Sequence, residues 1–408
     1  MLPASIAIVL ALILWGLYRG SIYRKAVRYK PTAGSEYLLP EGVPINANAF
    51  ELETTGTILL ELKLRSTLLG RLFDPLVSVR IGDQTIEFYF ERGISAPRHL
   101  VLPSTPKTRY TLTTRNVKID SAARFWHYPS DSTDRGPLAV IAPHPDDAEI
   151  SAFAAYRAEP TNTHILNITQ GEKGIAQLVP GLGKEAQQTL TATLRVFDAC
   201  TIPQMVQVPA HQITDLSWRE AEFPLSEARQ ANLSNEIERF LTTSGAKRIV
   251  IPHPLLDSHP AHLDVAQATV AAIRRIGDPA MKVLGVLIHV PGHRRYPIGK
   301  LGSGVALPPN AKAIKAFSSV EAFWLSEGDK MLKCFALDAN HDLRGLPAPL
   351  AGDPDLIKLA RYSLRSALTG VASVASSDYY RRSVRACELF LVYEFEDLES
   401  VSGLSASS

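Results

Sequence analysis

Two short clusters in the sequence carry the residue types of hydrolytic metal chemistry. The first is Pro143-His144-Pro145-Asp146-Asp147, which follows the apolar run Leu138–Ala142. His144 and Asp147 stand three apart, so a single turn aims both at one point. Asp146, between them, is free for another task. The second is Pro252-His253-Pro254-Leu255-Leu256-Asp257-Ser258-His259-Pro260-Ala261-His262, which follows Arg248–Ile251. His259 and His262 are again three apart. Neutral imidazole and carboxylate are ordinary zinc ligands. Three protein ligands with a fourth position left to water make the catalytic pattern, and water bound there ionises near neutral pH. Each cluster alone has a plainer reading: HPDD as the first turn of a helix, HxxH as a chance spacing. Two such clusters, each after a strand, argue for one shared site.

The elements that must position them are legible as alternation. Strand-like apolar runs fall at Leu138–Ala142, Ile165–Ile168, Met205–Val208, Arg248–Ile251 and Val283–Val290. Helical patterns fall at 147–158, 183–199, 225–243 and 260–276, with further helices expected over 319–338, 354–370 and 377–389. This alternation predicts an α/β domain over 136–395, a Rossmann-like, mainly parallel sheet with helices on both faces. In such sheets ligands collect at the carboxyl ends of strands, where both clusters lie. Upstream, Thr57–Arg65 alternates, Leu76–Ile81 and Thr85–Phe90 flank a Gly82-Asp83 turn, and His99–Leu102 and Tyr110–Thr114 are further short strands. These predict a small all-β sandwich over 45–125, read as a structural spacer.

The N-terminus is of another kind. Leu2–Tyr18 carries no charge, and Trp15 and Tyr18 sit where interfacial aromatics belong. Its helix, at about 1.5 Å per residue, just spans a bilayer core. Arg19, Arg24, Lys25, Arg28 and Lys30 follow at once. Residues 1–30 therefore read as a transmembrane helix with a basic flank. No basic n-region or small-residue cleavage site marks a secretory signal. Positive charge on the C-terminal flank places the body of the chain on the cytoplasmic face of the inner (plasma) membrane.

Composition narrows the class. The 408 residues are 46% hydrophobic and 21% charged, which is globular. Lys and Arg number 43 against 41 Asp and Glu, a balance that does not suit a nucleic-acid binder. Three scattered cysteines make neither a disulfide framework nor a cysteine zinc site. Gly285, Gly292, Gly302 and Gly304 form no phosphate-binding loop, so no nucleotide is expected. His289, His293, Arg294 and Arg295 read as a solvated basic loop. Gly299–Lys312, rich in Gly and Pro, reads as a lid.

Taken together, the motifs resemble the PIG-L/LmbE-like zinc-dependent N-acetylglucosaminyl deacetylases. Ala142–Ile150 (APHPDDAEI) is similar to the family's opening motif. Thr169-Gln170-Gly171-Glu172-Lys173-Gly174 is similar to its TxGExG loop, Lys184-Glu185-Ala186-Gln187 to its REAE-like helix start, and Asp257–His262 to its DxHPDH loop. The resemblance covers about 138–290 and extends to Cys387–Phe390. It implies His144, Asp147 and His262 as ligands of one Zn2+ per chain, with Fe2+ as the alternative. It implies Asp146 as general base and His259 as the group that stabilises the oxyanion or protonates the amine. Glu172 and Lys184 would bind substrate or order its loop. Asp257 and His253 stand near the ligands as second-layer candidates. The chain departs from the family at Ala261, where an Asp usually supports the neighbouring His, and at Lys184, where an Arg is usual.

The expected activity is removal of an N-acetyl group from an amino sugar of a membrane-linked glycan or glycolipid of the cell envelope. The alternatives are an amidase acting on a soluble amido-sugar conjugate and a non-catalytic glycan-binding protein with a degenerate site.

Overall fold

The computed structural model describes residues 35–38, 55–107, 109–119, 124–129, 136–173, 181–290, 296–308, 317–341 and 377–401. The apolar run Leu2–Tyr18, the helix expected over 354–370, and His293, Arg294 and Arg295 lie outside these residues. No helix among the described residues is long and apolar enough to cross a membrane.

The chain is a mixed α/β fold. Its N-terminal part forms two antiparallel sheets. The larger has the order β1 (Ser35–Leu38), β8 (Arg124–Pro129), β2 (Gly56–Ser66), β5 (Ser95–Ser104), with β7 (Val117–Ile119) also paired to β2. The smaller is β4 (Gln84–Tyr89), β3 (Leu76–Ile81), β6 (Tyr110–Arg115). Ile58, Leu60, Leu62 and Leu64 of β2 pack with Val77, Val79, Phe88 and Tyr110 between the two sheets. The period-2 rule then turns Leu59 to the opposite face. There it joins Val101, Trp126 and Tyr128 in one apolar cluster with Ile141, Ile251 and Leu391 of the sheet described next. The N-terminal sheets therefore share a core with the rest of the chain.

The second part is built on seven strands. Their order is β11 (Ile213–Trp218), β10 (Thr163–Thr169), β9 (Leu138–Ala142), β12 (Arg248–Pro252), β13 (Lys282–Val286), β15 (Cys387–Tyr393), β14 (Ser319–Trp324). The pairings from β11 to β13 are parallel; β15 runs antiparallel to both its neighbours. β9 and β12 sit side by side, so the two motif-bearing loops leave adjacent strands at the same end. The helices are α1 (Asp147–Ser151), α2 (Phe153–Ala158), α3 (Lys184–Thr201), α4 (Glu227–Ser244), α5 (Pro260–Ile276), α6 (Glu327–Ala339) and α7 (Ser377–Ser383). A buried ion pair ties α6 to β15: Lys333 Nζ lies 2.5 Å from Glu388 Oε1 and donates to Ile150 O, while Ala154 N–H donates to Glu388 Oε2.

Four expectations are corrected. Met205–Val208 begins in a 3-10 turn (Ile202–Val206) and forms no strand, and the edge strand is Ile213–Trp218, whose half-exposed residues leave no apolar run. The expected helix 319–338 is strand β14 followed by α6. Ser326 caps α6 by accepting Asp329 N–H. The expected helix 377–389 ends at Ser383, and Cys387–Tyr393 is a wholly buried strand. Lastly, the described part of the supposed lid is a strap. Val305 O accepts Val101 N–H, Leu307 N–H donates to His99 O, and Gly304 N–H donates to Glu87 O. This stretch ties the N-terminal sheets to the rest of the fold.

Candidate metal centre

β9 delivers the first loop. Thr169 N–H donates to Pro143 O, which fastens the loop to the end of β10. His144 N–H donates to Asp147 Oδ2 at 2.9 Å, so the loop's own backbone orients the carboxylate. The same oxygen stands 3.1 Å from His144 Nδ1 and 3.1 Å from His262 Nε2. His144 Nδ1 and His262 Nε2 are also 3.1 Å apart. Three donor atoms from two distant loops thus make a nearly equilateral triangle.

That triangle fits a metal ion. A tetrahedral ion with bonds of about 2.1 Å holds neighbouring ligand atoms about 3.4 Å apart. Two imidazoles and a carboxylate suit a borderline-soft divalent cation. His259 is at hand as well: His144, His259 and His262 offer ligand atoms that all lie within 4.8 Å of one another, and so could hold an ion together.

The second loop follows β12. His253 is fully buried at its start. Its Nδ1 accepts the N–H groups of Leu255 and Leu256, and its Nε2–H donates to Tyr393 Oη at 2.7 Å. Burial pushes its pKa down to about 3, so the ring is a neutral organiser of the loop. Asp257 does touch the triangle. Its Oδ2 accepts His262 Nδ1–H at 2.9 Å and its Oδ1 accepts His259 N–H at 2.8 Å. This bond leaves Nε2 of His262 facing the centre. Burial would lower the His262 pKa, but the charges and bonds of Asp147 and Asp257 override it and raise it to about 10. Burial would likewise raise the Asp147 carboxyl. The charge of His262 and the bonds from His144 and His262 bring it well below the usual carboxylate range.

His259 is different. Its ring meets His144 edge-on at 4.7 Å between centroids, and its Nδ1 is buried with no hydrogen-bond partner among the described residues. Ala261, fully buried, supplies none. Burial first, then the neighbouring His144, His262 and His289, push its pKa down to about 4. His289 joins the cluster, with its ring 5.0 Å from that of His262.

Asp146 lies beside the triangle. Its Oδ1 accepts from Arg195 Nη2 at 2.7 Å, while Arg195 Nη1 donates to Gly171 O at 2.8 Å. Gly171 has φ +62°, and a Cβ there would stand 2.3 Å from Arg195 Nη1. The glycine is what admits the guanidinium. Sequence reading missed Arg195. The signal was present: with Thr191, Ala192, Asp198 and Ala199 it lies on the buried stripe of α3, where an arginine needs a partner. Glu172 is buried and accepts the N–H groups of Glu220 and Ala221, so it orders that loop. Lys184 opens α3 and is exposed.

Residues 139–273 match the model of the PIG-L family, described as GlcNAc-PI de-N-acetylase. This stretch runs from β9 into α5 and holds both loops. No curated protein matches the chain. Among solved structures, N,N'-diacetylchitobiose deacetylase from Pyrococcus horikoshii is similar at 15% identity and TM-score 0.38, covering 65% of this chain and 86% of that one. The zinc-inhibited form of teicoplanin deacetylase matches at 13% identity and TM-score 0.37, over 67% of this chain and 100% of that one. The 4-carboxy-2-hydroxymuconate hydratase GalB from Pseudomonas putida matches at 12% and 0.36, over 63% and 95%.

Proposed function

We propose that this chain is a zinc-dependent N-deacetylase of the PIG-L type, with His144, Asp147 and His262 as the metal ligands. The observation that carries the reading is the triangle of 3.1 Å edges with Asp146 fixed beside it. Zinc bound there activates a water and polarises the acyl oxygen. The protein's own groups supply the rest. Asp146 takes a proton on Oδ2, because Arg195 engages Oδ1 and sets the plane of the carboxylate. Among the described residues no carboxylate is hydrogen-bonded to the His259 ring to hold a second proton, so it serves as a neutral donor to the developing oxyanion. Glu172 orders the 220–221 backbone.

The substrate we propose is an N-acetylated amino sugar on a membrane-linked glycan or glycolipid of the cell envelope. Leu2–Tyr18 and its basic flank supply the tether, and tethering raises the local concentration of a lipid-linked substrate. The positive-inside asymmetry supports catalysis at the cytoplasmic face.

The test is metal content together with acetate release from a panel of N-acetylated sugars, soluble and lipid-linked. About one zinc per chain is expected, as one set of three protein ligands implies. Asp147→Ala loses both metal and turnover. Asp146→Asn keeps metal and loses turnover. Full acetate release by the Asp146→Asn chain refutes the base. His259 Nδ1, without a partner among the described residues, favours one rival, a glycan-binding protein with a degenerate site; sugar binding without acetate release from any substrate would establish it.

A further inference from the structure

Among the described residues, four of the eight exposed large apolar side chains fall within six consecutive positions. Leu68 is 79% exposed, Leu69 57%, Leu72 66% and Phe73 58%. They crown a single 3-10 turn at the end of β2, at the tip of the N-terminal sheets. Such a cluster in solvent is unfavourable and marks an interaction surface.

The turn is not a loose loop. Thr67 N–H donates to Asn116 O at 3.1 Å, Gly70 N–H to Thr67 Oγ1 at 3.2 Å, Phe73 N–H to Leu69 O at 2.8 Å and Gly93 N–H to Gly70 O at 2.9 Å. Gly70 is packed so closely that a Cβ would sit 1.9 Å from Asn116 O. The backbone is therefore fixed in the one shape that turns all four side chains outward.

Charge around the tip is predominantly basic. Arg65 and Arg71 flank the turn on its own chain segment, and both are exposed. Arg92 enters from the loop that bonds Gly70, and Lys118 pairs in register with Arg65. Arg115 pairs in register with Leu76. Asp74, bonded to Arg92, is the one exposed acid among them, since Glu91 is buried against Arg98. An apolar crown inside a basic collar is complementary to an anionic lipid surface, with acyl chains below and phosphates at the level of the cations.

We propose that the Leu68–Phe73 tip docks into the interfacial layer of an anionic bilayer, giving the chain a second membrane contact besides its N-terminal run. The inference is independent of the catalytic reading. Catalysis and docking are measured by different signals, so one fails without the other.

The test uses the full chain with Cys200 and Cys334 replaced by Ser. A nitrobenzoxadiazole label is placed at Leu69→Cys or, as a control, at Ala231→Cys on the exposed face of α4. Both chains are mixed with vesicles of phosphatidylcholine and phosphatidylglycerol. The expected result is brightening at position 69, quenched by nitroxides in the acyl chains, and no change at position 231. Adding Arg71→Gln lowers the docked-to-free ratio about fivefold, as expected for one basic residue at an anionic surface. A label at 69 that stays as wet as the label at 231 overturns the proposal. So does a label already dry before lipid is added. If that dryness grows with protein concentration, the partner is a second copy of this chain. If it does not, the cover is another segment of the same chain.

Discussion

Asp257 braces His262, the second loop's proposed metal ligand, and its replacement by Asn tests the arrangement at one atom. Both carboxylate oxygens are used: Oδ2 accepts from His262 Nδ1 and Oδ1 from the His259 backbone. Both side chains of the His262–Asp257 pair are fully buried. Asn keeps the shape but has one acceptor for two donors. Its amide group must then face an N–H, either of His262 or of His259. The bond to His262 also loses its charge assistance, about half its strength. Loss of such a partner typically costs 10–100-fold in metal affinity, or about 1.4–2.7 kcal/mol. Asp257→Asn is therefore expected to weaken zinc binding by that factor. Competition with a chromophoric chelator measures the affinity, and thermal melts of the metal-free chains check that the fold is intact. An Asn variant that binds zinc as tightly as the parent refutes the claim that Asp257 orients His262 for a metal.

Arg195→Met removes the group that fixes Asp146. It is expected to lower kcat by about 10²-fold, the usual cost of a misplaced catalytic group, with zinc content unchanged; parallel metal analysis and steady-state kinetics decide. Gly171→Ala puts a Cβ against Arg195 in a left-handed backbone position. It should reproduce the kcat loss and cost about 1–2 kcal/mol of stability, read by denaturant melts. Lys333→Met leaves Glu388 buried without its cation and should destabilise the chain by about 3–5 kcal/mol, seen as a fall in Tm. Chelation should abolish acetate release and lower Tm, and added zinc should restore both; turnover that survives complete metal removal would refute the metal mechanism.

The proposed ligands, which the structure brings within 3.1 Å of one another, were legible as a cluster because each follows a strand whose apolar run is plain, Leu138–Ala142 for His144 and Asp147, Arg248–Ile251 for His262. The fold was less so at its far edge. Cys387–Tyr393 is buried along its whole length, and a continuous apolar run looks the same in a buried strand and a buried helix. Ser319–Trp324 merged with the following helix in the sequence pattern, although Ser326 followed by Asp329 is an N-terminal cap signal that separates the two. Ile213–Trp218 is an edge strand, half exposed, so no apolar run marks it. Arg195 was missed for another reason. Its partners, Asp146 and the carbonyl of Gly171, are remote in sequence, and only the approach of α3 to the β9 loop brings them together.

The place of β15 between β13 and β14 has a consequence for the birth of the molecule. β13 cannot acquire its antiparallel neighbour until Tyr393 has left the ribosome, roughly 100 residues and about 5–20 s after β13 itself at typical elongation rates. Until then the edge of β13, carrying Val283, Leu284 and Val286, is open along its length. The nascent chain has a vulnerable interval in which that edge can recruit the wrong strand. Truncation between β13 and β15 would make the interval permanent. Premature stop codons late in this coding sequence should therefore yield insoluble protein rather than a shortened, working enzyme.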